Sequence, residues 1–360
     1  MKMQKCLSLL LAAILTLSLY ACGSQPQQSP APEETPAAPE PAPQEARADS
    51  QTPEVVIDAA GREVTIPGKV ERVAITCQGG TTHETAIFGG PDRIVAQPGM
   101  ASFPQLLKMY PQFDSVVDAG SFDNVNIEEL MKTQPDLVLV GVNSQKGNSL
   151  IEEAGMQTYT MLIGWAAVDT IKQEFLNLGK IMGDEETAEK LVAYWDEKLG
   201  MIGEMTSKVP EDERKVVYYT GKAITNASTS DWGWNWIRGA GGISPFETAP
   251  AAELSVEEVM QINPDVILTQ EGNGIEGILG DDRVQELTAI KNRAVYECPI
   301  GAFWWDRPSP EAPLGFMWLA KTLYPDYTQE IDLEREAKDF FREFYHYELS
   351  DEEYQSFFSA

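Results

Sequence analysis

Residues Val125–Val140 read VNIEELMKTQPDLVLV, and Leu254–Thr269 read LSVEEVMQINPDVILT. The two stretches share Glu128/Glu257, Glu129/Glu258, Met131/Met260, Pro135/Pro264, Asp136/Asp265 and Leu139/Leu268 at matched positions. In each, apolar residues at helical spacing run up to the residue before a proline, and that proline's ring pushes its predecessor out of the α region. An aspartate and a short apolar run, LVLV or VILT, follow at once and read as a buried strand. Each copy is therefore a helix–strand unit, and one copy in each half of the chain predicts two similar lobes.

The flanking sequence extends this pattern. VVIDAAGREVTIP reads as a hairpin turning at Ala60–Gly61, followed by a strand at Arg72–Thr76 and a helix near Glu84–Phe88. Strand and helix signals then alternate through RIVAQ, SFPQLLKMY, the first repeat copy, SLIEEAG and QTYTMLI, which predicts a mainly parallel α/β sheet. Between the halves, Val168, Ile171, Phe175 and Leu178, then Leu191, Tyr194, Trp195, Leu199 and Ile202, keep a helical period. Asp184, after Gly183, is placed to cap a second helix ending near Met205, ~33 Å long at 1.5 Å per residue. The expected fold is α/β, with two Rossmann-like lobes (residues 54–167 and 207–360) joined through a connector (168–206) by one long rigid helix. Helical signals at Gln329–Tyr345 and Asp351–Phe358 close the chain.

The N-terminal end is of another kind. Lys2 and Lys5 precede an apolar run, Leu7–Tyr20, that is shorter than the ~20 residues a membrane span needs. It reads as a secretory signal, residues 1–22. The run stops at LYAC before Gly23, which resembles a lipoprotein processing site that would leave a lipid-bearing Cys22 at the N-terminus; an ordinary secretory signal or an uncleaved anchor are the alternatives. Residues 23–53 are proline-rich and without an aromatic residue, too poor in apolar surface to fold, and read as a tether. The whole chain carries 56 Asp and Glu against 27 Lys and Arg, a net charge of −29. So acidic a surface argues against nucleic acid and anionic headgroups as partners, leaving the N-terminal lipid as the contact with a membrane. Beyond Cys6 and Cys22 only Cys77 and Cys298 remain, one in each half; two separate buried thiols are expected, with a disulfide clamping the halves as the alternative.

Ligands of open α/β folds sit beyond the carboxyl ends of the strands, and pockets favour domain interfaces. That rule selects His83, Met100, Ser102, Asn143, Trp165, Thr229, Trp232, Trp234, Trp304, Trp305 and Arg307 as candidate ligand-binding residues. Flat aromatic faces suit a planar or bulky chelate and can hold a cation. Trp236 and one of Trp304/Trp305 are expected in the core. His83 either contacts a ligand or fills a capping or core position, and Arg307 either contacts a ligand or pairs with Asp306 or Glu311. Two enzyme readings compete with a binding role. Gly272, Gly274 and Gly277 spell a dinucleotide fingerprint with Glu297 beyond it, but the strand before it duplicates one that carries no such glycines. A hydrolase would want G-x-S-x-G or H-E-x-x-H, neither of which is present, and two histidines leave little general-base capacity. No cofactor, resident metal or catalytic residue is expected.

Taken together, GREVTIPGKVERVAIT, both repeat copies, GAGG at Gly239–Gly242 and WWDRPSPEAPLGFMWLAKTLYP resemble the iron-chelate and cobalamin substrate-binding proteins of ABC importers, the class III binding proteins, from about Val55 to Tyr345. The resemblance implies a monomer of two lobes bridged by one long helix. It would be lipid-anchored outside the cytoplasm, hold its ligand between the lobes and deliver it to a permease dimer with ATPase subunits. It also implies that Glu128 and Glu257 dock onto permease arginines; from the residues alone they are first-turn acids favoured by the helix dipole. The implied ligand is an iron-siderophore or related metal chelate, with haem, a corrinoid or a metal oxyanion as alternatives. Cobalamin is disfavoured because Ala251 and Ala252 stand where its binders carry a tryptophan.

Overall fold

The computed structural model describes residues 54–78, 80–228, 230–246, 253–270 and 274–358. The signal with Cys22, the tether, Thr229, Ala251, Ala252 and Gly272 lie outside them.

The first lobe opens with an antiparallel hairpin, β1 (Val55–Ile57) and β2 (Glu63–Thr65), whose turn uses the left-handed Gly61. Its main sheet is parallel, in the order β4–β3–β7–β8: β3 (Val73–Ile75), β4 (Ile94–Ala96), β7 (Leu137–Gly141) and β8 (Thr158–Met161). A short ribbon, β5 (Gly120–Ser121) and β6 (Asn124–Val125), interrupts the alternation. The helices are α1 (Thr81–Gly89), α2 (Pro104–Met109), α3 (Ile127–Lys132) and α4 (Gln145–Glu153). Strand β7 is buried along its whole length, as its uninterrupted apolar run requires of a parallel strand covered on both faces.

The connector is a helix pair, α5 (Val168–Met182) and α6 (Glu185–Thr206). Left-handed Gly183 closes α5, and the Asp184 side chain accepts the Thr187 N–H at 3.4 Å to start α6. Helix α6 has the expected length but is no free-standing strut. Leu191, Trp195 and Ile202 are fully buried, and the Trp195 ring lies 5.6 Å from Phe175 of α5 and 6.2 Å from Trp232 of the second lobe. One apolar core therefore runs from lobe to lobe through the connector.

Among the described residues the second sheet has three parallel strands in the order β11–β10–β9: β9 (Val217–Thr220), β10 (Val266–Thr269) and β11 (Val295–Glu297). Around it lie α7 (Asp231–Gly239), α8 (Val256–Ile262), α9 (Gly274–Leu279), α10 (Thr288–Lys291) and α11 (Ala312–Leu323), followed by α12 (Leu333–Phe344) and α13 (Asp351–Ser356).

The repeat forms α3–β7 and α8–β10, and the structure explains its punctuation. The Asp136 carboxylate accepts the N–H groups of Glu71 and Arg72, both at 2.9 Å, and Asp265 accepts that of Val216 at 2.8 Å. Each aspartate ties the start of its own strand to the start of the neighbouring one. The residues before the two prolines, Gln134 (φ 48°) and Asn263 (φ 43°), leave the right-handed region as expected but enter the left-handed one, the same strained turn in both copies. Cys77 and Cys298 are both buried and free.

Candidate binding cleft

Two adjoining cavities of about 210 Å³ each lie between the strand ends of the two sheets. Ile163 and Gly164 border both from the first lobe, and Arg307 and Pro308 border both from the second. One cavity adds Trp165, Tyr219, Ser228, Ser230, Trp232, Gln270 and Asp306 to its wall; the other adds Gln78, Phe122, Phe303 and Trp304.

The first-lobe wall begins where β8 ends. The chain turns through Ile163 (φ 44°) and Gly164 (φ 75°), both left-handed, and leaves Trp165 68% exposed. A β-branched residue in that region is a genuine outlier. Across the cleft, Ser230 accepts the Trp232 N–H at 3.2 Å to start α7, and its hydroxyl donates to the Gly164 carbonyl at 3.4 Å.

The second-lobe wall is held from behind. Glu311, fully buried at the start of α11, accepts the Ala302 N–H (3.1 Å) and the Trp305 indole N–H (2.9 Å) at Oε2, and the Phe303 N–H (3.1 Å) and Tyr345 hydroxyl (2.8 Å) at Oε1. Burial pushes its carboxyl up to about 7, against the pull of those donors. The loop so pinned presents a half-buried Trp304 and Arg307 to the cavities. The Arg307 guanidinium lies 5.2 Å from the Trp304 ring centroid, and its Nε donates to Asp306 at 3.2 Å. The other oxygen of the buried Asp306 accepts the Tyr219 hydroxyl at 2.6 Å. Of the two ion pairs open to Arg307, the one with Asp306 forms. It still leaves the guanidinium on the wall of both cavities. The cleft thus combines a cation, hydroxyl and amide donors, and indole faces.

Of the residues selected from sequence, Trp165, Trp232, Trp304 and Arg307 meet at this cleft. Thr229 lies outside the described residues, and the other described candidates do not border the cleft. Trp305 is fully buried with its indole committed to Glu311, and Trp234 is buried on α7. Trp236 stacks on Trp318 in the core, ring centroids 6.2 Å apart. His83 is buried, its Nε2 2.7 Å from the Ala302 carbonyl and its ring 4.8 Å from Phe303 and 5.2 Å from Phe103. Burial lowers its pKa to about 4, so the ring is neutral, and among the described residues no cluster of His, Cys, Asp or Glu could hold a metal ion. Met100 is buried, Ser102 lines a separate groove between α2 and α13, and Asn143 is exposed with its Oδ1 accepting from the Ser144 hydroxyl at 3.3 Å. The strand-end rule also reaches the loops that hold Gln78, Ser228, Ser230 and Gln270, though nothing in their residue types singles them out. It misses Tyr219, on β9, and Phe122, which arrives on the β5–β6 ribbon with no strand-end signal.

Glu128 and Glu257 are exposed in the first turns of α3 and α8. In each copy the following glutamate is engaged locally: Glu129 pairs with Lys132 at 2.6 Å, and Glu258 closes a capping box with Ser255.

Residues 75–300 match the family model described as periplasmic binding protein. The chain belongs to the periplasmic binding protein family. The binding protein is 26% identical over 328 residues to the molybdate-binding protein MolA of Haemophilus influenzae, covering 81% of this chain and 90% of that one. It is 24% identical over 303 residues to an ABC transporter substrate-binding lipoprotein of Bacillus subtilis, YvrC, covering 77% and 88%. A periplasmic solute binding protein from Veillonella parvula superposes with a TM-score of 0.71 at 26% identity, covering 85% of this chain and 97% of that one. The binding protein is thus a substrate-binding component of the ABC-importer type, with two α/β lobes of class III architecture. Among the described residues no helix is long and apolar enough to cross a membrane.

Proposed function

We propose that this binding protein captures a compact metal chelate in the cleft between its lobes and hands it to a permease dimer. The observation that carries this reading is the Arg307–Trp304 pair, a guanidinium that borders both cavities and lies 5.2 Å from the centroid of an indole that borders one of them. An indole face offers apolar area to a chelate's organic shell, while the guanidinium suits an anionic oxygen donor set. A metal oxyanion is the second reading. It is supported by the likeness to a molybdate-binding protein and by the size of each cavity taken singly, about 210 Å³, which is below the ~300–1,000 Å³ usual for ligand pockets and suits a small ion held in one of them.

In this reading the protein binds and releases without turnover, as a monomer, and lipid on Cys22 anchors it outside the cytoplasm. Glu128 and Glu257, one on each lobe, meet permease arginines, a pairing that gives bidentate, geometrically specific contacts. The test is titration of the purified protein with a ferric hydroxamate chelate and, separately, with sodium molybdate, followed by intrinsic tryptophan fluorescence. Saturable, reversible quenching by the chelate supports the first reading and by molybdate alone the second. Saturation by neither, or chemical conversion of either, overturns both.

A further inference from the structure

We propose that Glu174 is a positioning residue for the cleft: its buried carboxyl, through the backbone N–H of Leu162, sets where the Ile163–Gly164–Trp165 rim stands. The role rests on the cleft reading above and deepens it by adding a residue that lies outside both cavity walls.

Glu174 sits on connector helix α5, only 6% exposed, among the buried apolar residues Ile171, Phe175 and Leu178. A carboxyl is costly to bury there, and fold packing alone would be met by a leucine. Its Oε2 accepts the Leu162 N–H at 2.7 Å, and because burial raises the carboxyl to about 8 the acceptor near neutral pH is mostly the uncharged acid, which an amide can mimic. Leu162 is the first residue after β8, and the next two are the left-handed Ile163 and Gly164. Strained pairs of this kind persist only where their surroundings over-determine them. Two ties do so. Glu174 holds the chain on the N-terminal side of the pair, and the Ser230 hydroxyl holds the Gly164 carbonyl on the other side, from the second lobe. The Trp165 N–H closes the turn back onto the Leu162 carbonyl at 3.3 Å. Because Ile163 and Gly164 border both cavities, any displacement at Leu162 changes both at once. Glu174 therefore links the connector helix to the rim, and Ser230 links the rim to the opposite lobe.

The experiment compares Glu174→Leu, which removes the acceptor, with Glu174→Gln, which keeps one. Acrylamide quenching of Trp165, taken as the difference between each protein and its Trp165→Phe counterpart, reports the rim without added ligand. Titration uses the ferric hydroxamate chelate and sodium molybdate as probes. Glu174→Leu should raise Trp165 quenching and weaken whichever probe saturates the wild type by about tenfold, the equivalent of one hydrogen bond. Glu174→Gln should restore both. Wild-type quenching and affinity in Glu174→Leu, or equal damage in Glu174→Gln, would overturn the proposal. Should neither probe saturate the wild type, the ligand reading fails and the quenching comparison still decides the positioning role. Should Glu174→Leu not fold, amide exchange in the wild type decides: a slow Leu162 N–H supports the tie, and a fast one overturns it.

Discussion

Replacing Glu311 with glutamine should change how stability depends on pH, and the structure gives both sign and size. The Glu311 carboxyl, ordinarily at 4.5, is pushed up to about 7 by burial. Between those pH values the folded chain holds a proton that the unfolded chain has released. Stability from this group is therefore fully present below about 4.5 and is lost as pH rises through 7. A displacement of that size corresponds to about 3 kcal/mol. Glutamine has the same shape and does not titrate, but its single carbonyl oxygen and its amide N–H₂ cannot both accept from the donors that converge on Glu311. At least one of the buried donors from Ala302, Phe303, Trp305 or Tyr345 loses its acceptor, at about 1–3 kcal/mol. Glu311→Gln should thus be less stable than wild type at pH 5, and the gap should close or reverse by pH 8. The assay is urea unfolding of both proteins at intervals from pH 4.5 to 8. His83, held down at about 4 by burial, acts in the opposite sense, its contribution being lost as pH falls below 6.5, but it is common to both proteins and cancels in the difference. A wild-type-to-variant gap that stays constant over this range would refute the reasoning.

Other substitutions probe separate parts of the protein. Glu128→Ala/Glu257→Ala should keep affinity for the saturating probe while cellular uptake falls, since both residues are exposed on helices away from the cavities; lost affinity would put the carboxylates on the wrong surface. Trp304→Ala should weaken a ferric chelate more than Arg307→Lys does, and the reverse order measured with molybdate would favour the oxyanion reading. Cys22→Ala should release the protein to the medium or leave the signal uncleaved, and membrane retention with normal processing would rule out the lipid anchor. Gln134→Gly, which relieves the left-handed strain at φ 48°, should raise stability by up to about 1 kcal/mol in denaturant unfolding, whereas a loss would mean that the glutamine side chain contributes more than the strain costs.

The helix–strand units were legible because their punctuation is chemical: a proline ends each helix, and an aspartate fixes the next strand to its neighbour. Burial of α6 on several sides was not, because apolar spacing reports one face and cannot show that α7 and α11 cover others. The strand-end rule found Trp165, Trp232, Trp304 and Arg307 for a similar local reason. It could not separate Trp304 from Trp305. What separates them is Glu311, which takes the Trp305 indole, and Tyr345, which arrives from far along the chain to share the same carboxylate. His83 takes the core position that was one of its two readings, because the Ala302 carbonyl and the Phe103 and Phe303 rings, all distant in sequence, enclose it.

The same comparison separates what the repeat preserves from what it lets diverge. Both copies keep the exposed first-turn glutamate, the left-handed residue before proline and the strand-anchoring aspartate. The segments after the two repeated strands do not match in use: Gln270 borders a cavity, whereas Asn143 stands exposed outside both. Cleft residues come instead from unrepeated segments, the strained turn after β8 and the loop pinned by Glu311. A pseudo-twofold permease would require like groups on both lobes, and an asymmetric ligand would not. Selection for docking and for fold would hold the repeat constant, while selection for ligand would act on the loops around it. The docking and ligand surfaces should therefore be separable by mutation, which is the outcome expected of the glutamate double variant.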